Sequence, residues 1–344
     1  MKDLERNLKK RQQNLRQQSV NDAPDSQTVQ VRLLTIGEDD AGQRIDNFLL
    51  RICKGVPKSH IYRVLRSGEV RVNKGRIDQT YRLQIGDVVR VPPLRVAAAD
   101  ESVVPAAEFD VIFEDKHILV INKPAGVAVH GGSGVSFGVI EQLRAARPEA
   151  HFLELVHRLD RETSGLLLLA KKRSALTNLH AQMRDGGFDK RYLALAVGDW
   201  KNAHQHVRLA LHKYTTPEGE RRVRVQNDGM PSHTVFHLLR KFAGFALLEA
   251  ELKTGRTHQI RVHLAASGFP IAGDEKYGDF ALNKNLHKAA PGRGALKRMF
   301  LHAFRLQFTH PESGQRMQLQ APLAAECEQF LRSLEAKPAG ASAE

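Results

Sequence analysis

The sequence predicts a mixed helix-and-strand protein, α+β or α/β, with a small basic unit ahead of a larger sheet-based one. Two stretches with helical apolar spacing, residues 44–50 and 59–66, are followed by short strand-like runs, and all lie before residue 94. From Phe109 onward the apolar runs have strand length and are separated by polar turns. In the middle of that second part lies Leu166-Leu167-Leu168-Leu169-Ala170, a short, continuously apolar run that fits a strand buried on both faces.

The elements follow in order. Residues 1–29 are polar, carry Lys9-Lys10-Arg11 and repeated Gln and Asn, and show no apolar stripe; they read as a disordered basic tail that either touches phosphates or has no role. Residues 30–93 form the compact basic unit. Its two helices are closed by Gly68, after which 70–75 and 86–91 read as strands. Arg44, Arg51, Lys54, Lys58, Arg63 and Arg66 put more cation on these helices than folding requires, either as an RNA-contacting face or as an ordinary solvated one. Residues 94–104 read as a linker, because Ala97-Ala98-Ala99-Asp100-Glu101 interrupts the periodicity.

The larger domain is expected over 105–335. Residues 111–113 and 118–122 read as two strands of a hairpin around Glu114-Asp115-Lys116-His117. The run 166–170 is entered through a turn at Thr163-Ser164-Gly165. Residues 174–184 read as a helix with Ser174 as N-cap and Gly186-Gly187 as stop. Strands are expected again at 192–197, 234–239, 245–252 and 303–308. Thr257 is placed to cap a helix running through His258, Gln259, Ile260, Arg261 and Val262. Residues 336–344 read as a flexible tail.

Composition narrows the function classes. No run approaches the eighteen or so apolar residues of a membrane span, and the first residues lack a signal-peptide core, which predicts a cytoplasmic protein. Cys53 and Cys327 form no CxxC pair, which argues against a disulfide framework or a cysteine-ligated metal. Lys plus Arg number 52 against 38 for Asp plus Glu, a net +14, which favours a polyanionic partner. No phosphate-binding GxxxxGK[ST] string and no dinucleotide fingerprint is present.

The chemistry concentrates in HRLDRETSGLLLLAK, residues 157–171. Asp160 sits between Arg158 and Arg161, ahead of the buried strand. Flanking cations would keep its carboxylate ionised, as a nucleophile or base requires. Taken alone, such an aspartate more often is a turn residue paired with an arginine.

Together with NKPAGVAVH (122–130), KRYLALAVG (190–198) and TGRTHQIRVHL (254–264), in that order, this string resembles the pseudouridine synthases, in particular the family that includes the bacterial ribosomal large-subunit enzymes. The resemblance spans about residues 43–330. Residues 30–93 resemble the S4 RNA-binding domain. The implied fold is α+β: an S4-like domain of two helices and short strands, joined to a catalytic domain on a mixed, largely antiparallel sheet.

The implied activity is isomerisation of uridine to pseudouridine in RNA, 23S ribosomal RNA of the large subunit in the first place and transfer RNA as the alternative. The glycosidic C–N bond breaks, the base rotates, and a C–C bond forms through C5. Nothing is added or lost, so no cofactor is implied. The resemblance makes Asp160 the catalytic residue, without deciding whether it attacks the sugar, attacks the base or removes the ribose 2′ proton.

An extruded uridine must also be replaced in its stack and held. The resemblance gives Arg158 the vacated position, Tyr192 the stack on the base, Arg261 the pairing with Asp160, and Ile260 the apolar wall. Lys123, Pro124 and His130 are expected to shape the rim of the site. Arg44, Lys58, Arg63, Arg66 and Arg256 are expected to meet RNA phosphates. His258 and His263 lack the further ligands of a metal set, so no metal is expected. The implied partner is RNA rather than DNA or membrane, with the protein a monomer.

Two other classes fit parts of the pattern. A noncatalytic RNA-binding assembly factor would keep the basic unit without needing Asp160, Tyr192 and Arg261 in separate motifs. A nucleoside hydrolase would want a second carboxylate, for which Glu162 is not clearly placed.

Overall fold

In a computed structural model the described residues are 30–53, 55–94, 104–132, 137–290 and 294–335. The two tails, residues 95–103 of the expected linker and Lys54 lie outside them. The chain divides into two compact units, residues 1–101 and 102–344.

In the first unit, strands β1 (Arg32–Thr35), β2 (Arg71–Val72) and β3 (Val88–Val91) form an antiparallel sheet in the order β1-β3-β2. Helices α1 (Ile45–Ile52) and α2 (Lys58–Ser67) place Ile45, Phe48, Leu49, Ile61, Val64 and Leu65 into a shared core with Val70, Val72, Val89 and Val91. Each such apolar side chain contributes roughly 1.5–3 kcal/mol on burial before conformational entropy is counted. Gly68 ends α2 in the left-handed conformation that favours glycine (φ +75°).

The segment expected as one strand over 70–75 is a two-residue strand and a tight turn. Asn73 and Lys74 have positive φ, and Gly75 and Val72 exchange backbone hydrogen bonds. Polar turn chemistry wins there over β pattern because Asn73 tolerates the left-handed region and its side chain is anchored to Asp87.

The second unit is built on an eleven-stranded sheet. Its strands are β4 (Asp110–Glu114), β5 (Ile118–Lys123), β6 (Glu154–Leu155), β7 (Ser164–Ala170), β8 (Asp189–Val197), β9 (His204–Thr215), β10 (Arg221–Val225), β11 (Met230–Phe242), β12 (Phe245–Leu252), β13 (Leu301–Thr309) and β14 (Arg316–Gln320). The path is β10-β9-β11-β12-β8-β13-β7-β5-β4, with β14 on β13 and β6 on β7. Among the described strands every pairing is antiparallel except β13 with β7. With helices α3 (Val139–Ala146), α4 (Arg173–Arg184), α5 (Gln259–Ala266), α6 (Phe280–Leu286) and α7 (Ala325–Glu335), the fold is α+β.

The position of β7 explains the run of leucines. It lies between β5 and β13, and all seven of its residues are buried. Leu166 and Leu168 face one core with Ala175 and Leu179 of α4, whereas Leu167 and Leu169 face another with Val139 and Leu143 of α3. Both faces are covered, so no residue of the strand is polar for the sake of solvent.

Gly165 lies inside this strand and not in a turn before it. Its φ is +107°, and a Cβ there would fall 2.2 Å from the Ala303 carbonyl oxygen of β13. The turn is one step earlier, closed by Thr163 N–H donating to the Asp160 carbonyl at 3.1 Å.

Two expected caps are displaced. Helix α4 begins at Arg173 with Lys172 in the capping position, so Ser174 is inside the helix. Its end matches the sequence pattern: Gly186 is left-handed and the Gly187 N–H donates to the Gln182 carbonyl at 2.7 Å, a Schellman closure. Thr257 does not cap α5, because His258 occupies that position without a side-chain cap bond. The turn before α5 is instead tied by the buried Gln259. Its Oε1 accepts from Thr254 Oγ1 (2.8 Å) and Arg256 N (2.9 Å), and its Nε2 donates to the His233 carbonyl of β11 (3.0 Å).

Candidate active site

Asp160 stands on the loop between β6 and β7, which the side chains of Lys123 and His157 hold from behind. Lys123, at the end of β5, is completely buried, and its Nζ donates to the carbonyls of Pro124 (2.7 Å), Val127 (2.8 Å) and Arg161 (3.1 Å). Burial pushes its ammonium down to about 7. The Gly126 N–H also donates to the Arg161 carbonyl, at 2.9 Å. The NKPAG segment therefore clamps the backbone beside Asp160 from below, and Lys123 is not a rim residue. His157 holds the other side, its Nε2 accepting from the Leu168 N–H of β7 at 3.2 Å.

The Asp160 side chain, 18% exposed, opens into a cavity of about 200 Å³. Arg158, Lys190, Tyr192, Arg256, His258, Ile260 and Arg261 share its wall. The nitrogens that reach Asp160 do not come from its sequence neighbours. Arg161 is exposed and donates to Glu162 Oε1 at 2.8 Å, and Arg158 is exposed at the cavity wall. Arg261 Nη1, from α5, lies 3.6 Å from Asp160 Oδ2, and His258 Nε2 lies 3.9 Å from Oδ1.

Arg261 is held for that contact by a second carboxylate. Its Nε and Nη2 donate to the two oxygens of Asp274 at 2.7 and 2.6 Å, with both residues almost wholly buried. Burial alone would raise the Asp274 carboxyl, but the Arg261 fork outweighs it and holds the group below the ordinary carboxylate range. The Tyr277 ring lies 5.1 Å from the guanidinium. The bidentate bond belongs to Asp274, and Asp160 receives the remaining Nη1.

Strand alternation places the KRY string. Lys190 and Tyr192 of β8 point to the cavity, whereas Arg191 between them points to the opposite face, paired with Asp189, Glu249 and Glu251. Tyr192 is 7% exposed, packs in the main core and also lines the cavity. Burial, reinforced by the negative charge of Asp160, pushes its phenol up, so it stays protonated at neutral pH. Burial likewise lowers the Lys190 ammonium. Ile260, 4% exposed, gives an apolar patch, and Arg256 stands exposed at the wall with its Nε on the Pro231 carbonyl (3.2 Å).

The structure therefore brings Arg158, Asp160, Tyr192, Arg256, Ile260 and Arg261 to one cavity. His258 lines it too, but His263 is buried against Ser232 Oγ (2.8 Å) and the two do not converge. Lys190, His157, Asp274 and Tyr277 were not anticipated as site residues. Lys190 could have been read from its i, i+2 spacing to Tyr192 on a strand; Asp274 and Tyr277 carry no comparable signal. On the first unit, Lys58, Arg63 and Arg66 are exposed along α2. Arg44 is already engaged with the buried Asp46 through Nη2 at 2.7 Å.

The arrangement is a carboxylate facing one arginine in a cavity walled by an aromatic, an aliphatic and the cations Arg158, Lys190 and Arg256, and it has room for a single base beside the carboxylate. Residues 117–266 match the family described as RNA pseudouridylate synthase, and residues 43–89 match the S4 domain. The chain is 54% identical to the ribosomal large subunit pseudouridine synthase C of Salmonella typhi over 91% of this chain and 99% of that one. It is 54% identical to that of Escherichia coli K12 (90% and 98%) and 51% identical to that of Haemophilus influenzae (88% and 95%). Among solved structures, human RNA pseudouridylate synthase domain containing 4 shares the fold, with a TM-score of 0.54 at 24% identity over 66% of this chain and 93% of the other. By this similarity the chain belongs to the RNA pseudouridine synthases, isomerases of uridine in RNA, and bears an S4 domain ahead of its catalytic unit.

Proposed function

We propose that the protein converts specific uridines of 23S ribosomal RNA to pseudouridine, with Asp160 as the catalytic carboxylate. One observation carries the reading: Asp160, Tyr192 and Arg261, far apart in the chain, face one cavity. The relatives named as large-subunit synthases, matched over nearly their whole length, support the ribosomal target.

In the reaction the N1–C1′ bond breaks, the uracil turns, and C5 bonds to C1′. The C5 proton leaves while N1 gains one, so atoms and electrons balance with no added cofactor. Asp160, facing Arg261, acts as nucleophile or base. Tyr192 stacks on the extruded base and Ile260 closes its apolar side. Arg158 fills the vacated place in the RNA stack. Arg256 meets a phosphate at the cavity, while Arg44, Lys58, Arg63 and Arg66 of the S4 domain meet phosphates elsewhere on the RNA. The protein acts as a monomer in the cytoplasm, where ribosomal RNA is matured.

Nucleotide-resolution mapping of pseudouridine in total RNA tests this. Cells lacking the protein should lose defined 23S sites that wild type restores and Asp160→Asn does not. Sites lost only from transfer RNA would move the target. Unchanged sites, or full rescue by the variant, would leave a noncatalytic RNA-binding factor.

A further inference from the structure

His258 has a backbone conformation that L-residues rarely adopt, φ 53° and ψ 20°, at the start of α5. Strain of this kind persists only where the surroundings impose it. Both ring nitrogens are directed. Nδ1 is 2.7 Å from Tyr277 Oη, and Nε2 is 3.9 Å from Asp160 Oδ1.

Tyr277 Oη also accepts a hydrogen bond from the Val223 N–H, an amide of edge strand β10, at 2.9 Å. Among the described residues no other acceptor lies within hydrogen-bond reach of the phenol, so its proton goes to Nδ1. A neutral imidazole that accepts at Nδ1 carries its own proton on Nε2, the nitrogen turned to Asp160. The result is a directed chain: Val223 N–H to Tyr277 O–H, Tyr277 O–H to His258, and His258 Nε2–H toward the carboxylate.

We infer that His258, its tautomer fixed by Tyr277, is a positioning residue for Asp160, presenting Nε2–H to Oδ1 while Arg261 faces Oδ2. The inference rests on the reading of Asp160 as the catalytic carboxylate. A separation of 3.9 Å is a loose contact of the kind that tightens once substrate fills a site. The charges around the ring are mixed: Asp160 and Asp274 favour the imidazolium, Arg261 and Lys276 oppose it, and burial outweighs them all, pushing the ring down to about 4. A neutral donor orients Asp160 without adding a second positive charge that would blunt it as a nucleophile.

The test is single-turnover pseudouridine formation at saturating RNA, with RNA affinity measured separately, for His258→Ala, His258→Gln, Tyr277→Phe, the His258→Ala/Tyr277→Phe double variant and Asp160→Asn. His258→Ala and Tyr277→Phe should each slow the reaction about tenfold, the worth of one hydrogen bond to a charged group, with RNA affinity unchanged. The double variant should be no slower than His258→Ala, because the two residues form one chain. His258→Gln, which retains an N–H near that place, should recover part of the rate. Should His258→Ala fail to fold, Tyr277→Phe and His258→Gln still decide. Additive losses, or a wild-type rate for Tyr277→Phe, would overturn the inference. Asp160→Asn separates the levels: an active Asp160→Asn removes the reading of the site itself, whereas an inactive one beside unaffected His258 and Tyr277 variants removes only the positioning chain.

Discussion

A single side chain in this site carries several constraints, and Tyr192 shows how they are separated. Its backbone belongs to β8, its ring packs in the main core, and it lines the cavity that holds Asp160. If it stacks on the extruded base, the π face matters and the hydroxyl does not. Tyr192→Phe is therefore expected to hold RNA nearly as well as wild type. Tyr192→Leu should lose on the order of 1–3 kcal/mol of binding, the usual worth of a base–aromatic stack. Titrating both variants with a fluorescent RNA fragment checks this, and equal losses in the two would mean that the hydroxyl is the contact. Lys123 presents the opposite case. Its charge meets three backbone carbonyls beneath the site, and its part is to fix the loop that bears Asp160.

At the scale of elements, the joint between β7 and β13 decides where Asp160 stands. It is the one parallel pairing among the described strands, and it is registered at His302 with Ser164 and Ala303 with Gly165. The joint is pinned further by Ser164 Oγ, which is 2.8 Å from His302 Nδ1 and accepts from Arg298 Nη2 at 2.6 Å. Gly165→Ala would drive a Cβ into the Ala303 carbonyl at a positive φ, two penalties at one position. A loss of roughly 3 kcal/mol or more of stability is expected, with activity falling further because the strand carries the Asp160 loop. Urea unfolding gives the first quantity and single-turnover rates the second; a variant of wild-type stability would show that the two strands part easily.

Across the molecule, histidines shielded wholly or partly from solvent set the response to acid. His157, His258, His263 and His302 are each pushed down to about 4 by burial, and all belong to the second unit. Because their folded values lie below the ordinary 6.5, the unfolded chain binds more protons between pH 4 and 6.5, and stability falls as pH drops through that window. The expected slope is about 1.4 kcal/mol per pH unit for each histidine that titrates fully in the window. Trp200, the single tryptophan of the chain and buried in that unit, reports its unfolding by fluorescence. Urea midpoints that do not move between pH 6.5 and 4.5 would show these rings already solvated in the fold.

What the sequence determined by itself was whatever depends on local pattern. The leucines of β7 announced a strand covered on both faces, Gly68 and Gly186 marked helix ends, and the family resemblance carried by four ordered motifs picked out Asp160, Arg158, Tyr192, Arg256, Ile260 and Arg261, which the fold brings to one cavity. Only the tertiary structure decided how the charges are arranged. Arg158 and Arg161 are the neighbours of Asp160 in the chain, yet side chains on a loop diverge and leave the carboxylate to Arg261 of α5, the pairing the resemblance implied, and the fold alone adds Asp274, which fixes that arginine. The placement of Ser174 and Thr257 failed for the same reason. A cap depends on the φ and ψ of one residue: at α4 the extended residue is Lys172, and at α5 the bonds of Gln259 tie the turn from outside the local pattern. Lys190, His258 and Tyr277 became site residues only when β8, α5 and the loop before α6 were brought together, because proximity across a sheet is set by strand order, and strand order is not written in any one segment.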